Sequence, residues 1–463
     1  MKLSLTTEQF DALRVLLERA AGLVFDEARK ESIAYCVSER MRAIGLRDVP
    51  SYLARLADPV ERQQLLDEVT IQETHFFRNP PQVRALRMHV LPELLRYAEE
   101  NGRRLRIWSA GCSTGEEAYT VAMLLRELLP STADWDVKVV ATDVSSRAIG
   151  AARNGRYGAR AVQLASAEEL ARHFRPAPDG GHEVRPEVRE LVEFRHHNLV
   201  TEAVPFALSE RIDLILCRNV TIYFGRDTTR ALMTRLHHCL RNGGYLFLGH
   251  SETLWQVSED FRLVALGSGD AAAFVYRRLD LPVERRAVLP DRRTIDEGPV
   301  PPVRERRHDS RRQVQPAPPA VVVAAATLVD QARAALSAGQ YAQAAELAAQ
   351  ASAQAPLAAE AFYLRGLALI DLGRDEDALV ELRKAVYLEP ERGFAHFLLA
   401  GALDRLGEPL LAAREYGAAA DTLGLQPADA AAAELGGRSV RELAALCRQL
   451  EHRLVGGQVE EVS

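Results

Sequence analysis

Apolar positions in the first hundred residues recur at three- and four-residue spacing. FDALRVLLERAAGL (Phe10–Leu23) and SYLARLADPVERQQLLDEV (Ser51–Val69) show it most clearly, and the spacing predicts helices. From about Leu105 the texture changes. Short apolar runs, LRIWSAG, VKVVATD, LVEFRHHNL, IDLILCRNV and GGYLFLGHS, alternate with amphipathic stretches such as VAMLLRELL and LMTRLHHCL. Strand–helix alternation of this kind predicts a parallel α/β sheet covered on both faces.

From about Leu281 to Ala320 periodicity disappears into a segment rich in Pro, Arg and Asp. Such a composition does not offset the entropy of ordering, so a disordered or extended linker is expected over 281–324. Beyond it lies a repeat. Gly339, Gly373 and Gly407 are evenly spaced, and so are Ala344, Ala378 and Ala412, and Ala332, Gly366 and Ala400; Pro356 and Pro390 keep the same interval. A common period of about 34 residues is that of the tetratricopeptide helix-turn-helix unit. The small residues let paired helices approach, Gly ends the first helix and Pro closes the second. AEAFYLRGLALIDLGRDEDALVELRKAVYLEPER (Ala359–Arg392) is the clearest copy. A last helix is expected over roughly Val440–Leu454.

Composition changes this picture little. The chain has 463 residues, 47% hydrophobic and 26% charged, with a net charge of −6, which suits several globular domains and carries no global bias toward nucleic acid. Five scattered cysteines without CxxC spacing argue against a disulfide framework or a zinc site, and suit a reducing cytosol. The N-terminal helix carries acids within its apolar pattern, unlike a signal peptide, and no run of apolar residues is long enough to span a bilayer.

The chemistry gathers at strand ends, where open α/β sheets bind their ligands. SAGCSTGEE (Ser109–Glu117) shapes a tight turn with Gly111 and Gly115, but no Lys follows for a triphosphate. Its acids suit a ligand with a cationic or hydroxyl-rich part. Asp143 ends a strand about 30 residues on, where a carboxylate accepts from a ribose. A nucleoside without phosphates beside acids points to S-adenosylmethionine. Asn198, in HHNL, is a candidate for the adenine edge. Arg218 and Asn219 end the strand of DLILCRNVTIYF (Asp213–Phe224), with Tyr223 shortly after. Each residue alone has a plainer reading: Asp143 as a helix cap, Tyr223 as core.

Taken in order, TIQETHFFRNP (Thr70–Pro80), IWSAGCSTGEEAYTVAMLL, ATDVSSRAIGAARNGRY, HHNL, DLILCRNVTIYF and GGYLFLGHSE resemble the CheR family of chemotaxis receptor glutamate O-methyltransferases over roughly residues 5–278. The tail resembles the subgroup that carries tetratricopeptide repeats, including the Wsp and Frz chemosensory enzymes. The resemblance implies a class I, Rossmann-like α/β methyltransferase domain with an N-terminal helical subdomain, followed by the all-α repeats. The expected division is 1–80 helical and receptor-binding, 81–280 methyltransferase with a small β-subdomain near 173–194, 281–324 linker, 325–424 repeats, and 425–463 terminal helix and tail.

It also implies S-adenosylmethionine as cofactor and S-adenosylhomocysteine as product. Cofactor contacts are expected from Gln72 (where the family usually has Asn), Thr74, Arg78, Glu117, Asp143, Asn198, Leu199, Arg218 and Asn219. Arg78 and Tyr223 are expected at the methyl-transfer centre, while Arg40 and Arg42 fall on the stretch that meets the receptor helix; no metal is expected. The plain alternatives are that Arg78 merely pairs with Glu116 or Glu117, and that Arg40 and Arg42 are a solvated face. Implied partners are receptor cytoplasmic helices, plus a further protein on the repeats, at receptor arrays in the cytoplasm, without nucleic acid or membrane insertion. The region His173–Phe194 is a few residues shorter than in members that grip a receptor's C-terminal peptide, so dependence on that peptide is not expected. Two rival readings are a chemosensory scaffold that binds cofactor without turnover, and a methyltransferase of small molecules or nucleic acid. Retained Arg78, Asp143, Asn219 and Tyr223 argue against the first. RNVTIYF, which lacks the NPPY or DPPY of DNA amino-methylases, argues against the second.

Overall fold

The computed structural model describes residues 3–129, 131, 133–178, 180–206, 210–249, 252–254, 257–267, 272–279, 319–425 and 439–457. The N-terminal unit holds α1 (Thr7–Ala21), α2 (Lys30–Ala43), α3 (Val49–Arg55) and α4 (Pro59–Val69). Local chemistry sets their ends. Thr6 and Gln9 form a reciprocal capping box on α1, and Gly22 leaves it in the left-handed region at φ 72°. Asp48 and Asp58 cap α3 and α4. The apolar stripe of α1, Phe10, Leu13 and Leu17, is buried with Ile33, Val37, Tyr52 and Leu65.

Arg40 departs from expectation. It binds Glu61 through two hydrogen bonds of 3.0 and 2.8 Å, and the Tyr52 hydroxyl donates to the same carboxylate at 3.1 Å. Glu61 is buried, so Arg40 holds α2 to α4 rather than facing a partner. Arg42 is exposed and, among the described residues, pairs with Glu39 alone, one turn back.

Helices α5 (Pro80–Ala85) and α6 (Leu91–Glu100) lead to the sheet unit. Its strands are β1 (Arg104–Ala110), β2 (Asp136–Asp143), β3 (Arg156–Tyr157), β4 (Phe174–Pro176), β5 (His182–Val184), β6 (Val192–His196), β7 (Ile212–Cys217), β8 (Leu240–Leu248), β9 (Phe261–Leu266) and β10 (Ala273–Arg278). Between them run α7 (Glu116–Leu128), α8 (Ser146–Asn154), α9 (Ala167–His173), α10 (Pro186–Arg189) and α11 (Arg226–Cys239). The main sheet has the order β6-β2-β1-β7-β8-β10-β9. Pairings are parallel from β6 through β8, whereas β10 is antiparallel to both neighbours. Strand order reverses between β1 and β7, so the crevice for a ligand opens there, at their carboxyl ends.

Two features differ from the sequence reading. The small second sheet, β3-β5-β4, takes a strand from Arg156–Tyr157, outside the stretch near 173–194 expected for it, while Val192–His196 joins the main sheet as the strand pattern of LVEFRHHNL predicts. The hairpin of β9 and β10 completes the main sheet without having announced itself by periodicity.

The C-terminal unit is α12 (Pro319–Ser337), α13 (Tyr341–Gln354), α14 (Ala359–Asp371), α15 (Asp375–Leu388), α16 (Gly393–Arg405), α17 (Pro409–Gly424) and α18 (Val440–Gly457). Helix α12 begins within the stretch expected as linker; the rest of that stretch lies outside the described residues. Gly339, Gly373 and Gly407 follow α12, α14 and α16 at φ 70°, 70° and 78°, where only Gly is unstrained. The phased Ala344, Ala378 and Ala412 are fully buried. A Cβ at Gly366 would meet Leu382 at 2.6 Å, so close helix approach requires a small residue. This unit rests on the sheet through Phe274 of β10, which stacks on Tyr387 of α15 (centroids 5.7 Å apart, planes 20°) and meets Phe362 edge-on at 5.9 Å.

Removing Arg40 strands a buried carboxylate, which costs about 3 kcal/mol. Arg40→Ala is therefore expected to lower stability by about that much in chemical denaturation, and Arg42→Ala to change it by less than about 0.5 kcal/mol.

Candidate active site

The carboxyl ends of β1, β2 and β7, the segment before α5 and the facing helices α15, α16 and α17 of the repeat unit enclose a cavity of about 570 Å³, a size typical of small-molecule sites. Gln72, Thr74, Arg78, Glu117, Asp143, Asn198, Leu199, Arg218, Asn219 and Tyr223 all line it. Arg40 and Arg42 do not.

The β1–α7 turn is built by backbone geometry. Gly111 and Gly115 lie at φ 87° and 97°, and Ser113 at 50°. A Cβ on Gly111 would come within 2.4 Å of Val220 on the β7 loop, so the two strand ends nest against each other only with Gly there. Asp143 ties the turn down: one carboxylate oxygen accepts from Ser113 N and the other from Ser145 N, both at 2.8 Å. Burial raises its pKa, and the two N–H donors oppose that rise. Gln72 accepts from Ser113 Oγ at 2.6 Å. The longer amide thus serves as a brace between the pre-sheet segment and the turn.

Glu117 faces the cavity and Glu116 does not. Glu117 accepts from Ser109 Oγ at 2.7 Å and pairs with Arg218 at 3.0 Å, and Arg218 also donates to the carbonyl of Arg78 at 2.9 Å. Arg218, not Arg78, is therefore the partner of the loop acid. Glu116 is buried with both oxygens on Thr114 Oγ1, at 3.0 and 2.7 Å, and burial raises its pKa. Asn198 lines the cavity, yet its side chain is committed elsewhere: it donates to Ala20 O at 2.7 Å and accepts from Val200 N at 2.9 Å. It pins the end of α1 to the sheet, while its carbonyl accepts from Glu202 N at 3.1 Å.

Glu252, in the loop after β8, is the residue that sequence reasoning passed over. One oxygen accepts from Asn219 N and Gly249 N, both at 2.6 Å; the other accepts from Val220 N at 2.9 Å and from Thr221 N and Oγ1 at 2.7 Å. Five donors on one buried carboxylate hold Asn219 at φ 60°. Phe77, Asn79, Ser113 and Asn219 account for all but one of the described non-Gly residues with positive φ. All four flank the cavity, so backbone strain is concentrated at the site. The signal for Glu252 in the sequence was its place at the end of GGYLFLGHSE, one of the motifs that carry the resemblance, to which no role was attached.

S-adenosylmethionine suits this lining. Glu73, Glu117 and Asp143 offer carboxylates to cationic groups. Buried Arg218 Nε and His197 Nδ1 lack partners, and both residues line the cavity. A ligand carrying its own carboxylate and amines would satisfy such atoms.

Gln at position 252 would set an amide N–H₂ against backbone donors, and each unmet buried donor costs about 1–3 kcal/mol. Glu252→Gln is expected to weaken S-adenosylhomocysteine binding by at least about tenfold in calorimetry. The raised pKa of Glu116 has a pH signature. Between the ordinary and the raised value the folded chain holds more protons than the unfolded one, so stability falls as pH rises through that window. Glu116→Gln is expected to melt no lower than the parent at pH 8, with its relative advantage shrinking as pH falls toward about 4.5.

Residues 8–70 match the family described as CheR methyltransferase, all-alpha domain, and residues 72–269 match CheR methyltransferase, SAM binding domain. The chain is 33% identical over 267 residues to chemotaxis protein methyltransferase Cher2 of Pseudomonas putida, an alignment covering 56% of this chain and 95% of the relative. It is 31% identical over 417 residues to the probable biofilm formation methyltransferase WspC of Pseudomonas aeruginosa, covering 86% of this chain and 95% of the relative. Its C-terminal helices are similar to the Sgt2 TPR domain from Aspergillus fumigatus at 19% identity, covering 30% of this chain and 83% of that one, with a TM-score of 0.25. The two matched regions fall on the helical unit and on the sheet with its cavity, and the chain belongs to the CheR methyltransferase family, with S-adenosylmethionine as its cofactor.

Proposed function

We propose that this chain transfers the methyl group of S-adenosylmethionine to glutamate side chains in the cytoplasmic domain of a chemoreceptor, forming methyl esters that adapt a chemosensory pathway. The observation that carries the proposal is Arg78. It lines the cofactor cavity with no carboxylate in ion-pair reach among the described residues, its one hydrogen bond being to Glu73 O at 2.9 Å. A guanidinium left open beside a cofactor pocket is a receiver for an acceptor carboxylate. The names of the relatives, chemotaxis and biofilm formation methyltransferases, support the chemosensory setting. The proposed reaction would act in the cytoplasm, at receptor arrays. Among the described residues, no helix is long and apolar enough to cross a membrane.

When bound, the cofactor supplies an electrophilic methyl on sulfur. The chain has little proton chemistry to do, because a glutamate is ionised at neutral pH. Its task is alignment and exclusion of water. Arg78 holds the acceptor carboxylate by charge-assisted hydrogen bonds. Tyr223, whose hydroxyl has no partner among the described residues, donates a second. Burial pushes the Tyr223 pKa up, so it remains a donor across the neutral and mildly alkaline range. Glu117 and Asp143 bind the cofactor's cationic and ribose ends, and Glu117 also neutralises Arg218 so that Arg78 is the cation left for substrate. Exposed Arg42 remains a candidate contact for the receptor helix, whereas Arg40 acts inside the helical unit. Such a complete site disfavours a scaffold without turnover.

The test is transfer of labelled methyl to receptor cytoplasmic domains. Base-labile label released as methanol is the expected product, and base-stable label would refute ester formation. Arg78→Ala is expected to lower kcat/KM by about 100-fold. Tyr223→Phe is expected to lower it by about tenfold, without moving an alkaline limb of the pH profile into the range below about 10.

A further inference from the structure

A second cavity, of about 360 Å³, lies where the repeat unit meets the sheet. Its charged lining residues are Arg78, Arg218, Arg383 and Lys384, and no acidic residue lines it among those described. Two of the four are already neutralised. Arg218 pairs with Glu117 at 3.0 Å and Lys384 with Glu381 at 3.1 Å. Arg78 and Arg383 have no carboxylate within ion-pair distance among the described residues. The acids that act on Arg383 do so only at longer range: Glu415, whose carboxylate is bonded to His396 at 2.6 Å, and Glu408.

Arg383 stands on α15, in the repeat unit, one helical turn before Tyr387. Arg78, Arg218, Asn219, Arg383 and Tyr387 line both this cavity and the cofactor cavity, so the two spaces are neighbours with a shared wall. Burial lowers the pKa of Arg383 from its ordinary value: a half-buried cation without a counter-ion costs free energy in the empty site and regains it when an anion enters.

We propose that this junction is an acidic-peptide subsite, in which Arg383 of the repeat unit binds a carboxylate flanking the glutamate that Arg78 presents for methylation. The inference rests on the proposed acceptor chemistry and extends it: the repeats do not only recruit partners but complete the acceptor pocket. Arg383 is then a specificity-determining residue, selecting glutamates in acidic surroundings. Bidentate guanidinium–carboxylate geometry suits this role better than an ammonium would.

The experiment uses the full chain saturated with S-adenosylhomocysteine and a fluorescein-labelled peptide of Glu and Ala as probe. Arg383→Glu is expected to weaken peptide binding by tenfold or more, on the order expected for a charged hydrogen bond. Arg383→Gln should fall between it and the parent, with an unchanged far-ultraviolet circular dichroism spectrum and melting temperature as the control for folding. In turnover on a receptor domain, the effect of Arg383→Gln should fall on KM rather than on kcat. Peptide affinity and KM unchanged in both variants would overturn the proposal. So would pyrophosphate that binds more tightly than the peptide and depends on Arg383, since the pocket would then be a phosphate site. The two readings fail separately. A parent that binds the peptide through Arg383 but forms no methyl ester would refute the proposed reaction and leave the subsite standing. Ester formation indifferent to Arg383 would do the reverse.

Discussion

The site depends on one buried carboxylate. Glu252 gathers the main-chain donors of Asn219, Val220, Thr221 and Gly249 and the Thr221 hydroxyl, and no other type of side chain can accept so many bonds at once. With those donors held, Val220 stands where it closes against Gly111. The two strand ends that frame the cavity are thereby locked to each other at the point where strand order reverses. Asp143 repeats the device on the other side, holding Ser113 and Ser145 by their N–H groups. The ligand cavity is thus lined by backbone that anions have already organised, and its strain is confined to a few residues held by many bonds.

Charge in the cavity follows from that arrangement. An acid in the first loop looks anomalous when compared with phosphate-binding turns. Here Glu117 serves Arg218, and Arg218 in turn grips the carbonyl of Arg78. The neighbouring Glu116 is spent on Thr114, away from the ligand. Adjacent identical residues thus have opposite duties, because successive positions at a helix start point a wide angle apart.

Much of this was legible in the chain. Periodicity separated helical, alternating and repeating regions, and turn glycines marked the first strand end and the repeat boundaries. Ordered motifs brought together ten residues that line one cavity. Other features were hidden for physical reasons. β9 is only partly buried and pairs antiparallel with β10, so the two strands form a hairpin without the crossover helix that marks the others. Glu252 draws its meaning from donors about thirty residues earlier, which no local pattern reveals. Arg40 and Arg42 look alike in sequence, two residues apart on one helix; only tertiary packing shows that Glu61 waits beneath the first. The side chain of Asn198 was legible as polar, but its carbonyl partner, Ala20, lies in another unit.

The stack of Phe274 on Tyr387 joins the edge of the sheet to the helix that carries Arg383. One helix bears both the aromatic contact and the charge, so if the junction takes the acceptor as proposed, the repeats and the acceptor pocket would form a linked equilibrium. A ligand of the repeats that prefers α15 displaced from the sheet must weaken acceptor binding, and the acceptor must weaken that ligand by the same factor. Were a ligand of the repeats to move that ring contact, the affinity for an acceptor bound as proposed would change with it, in the direction set by which of the two tolerates the stack.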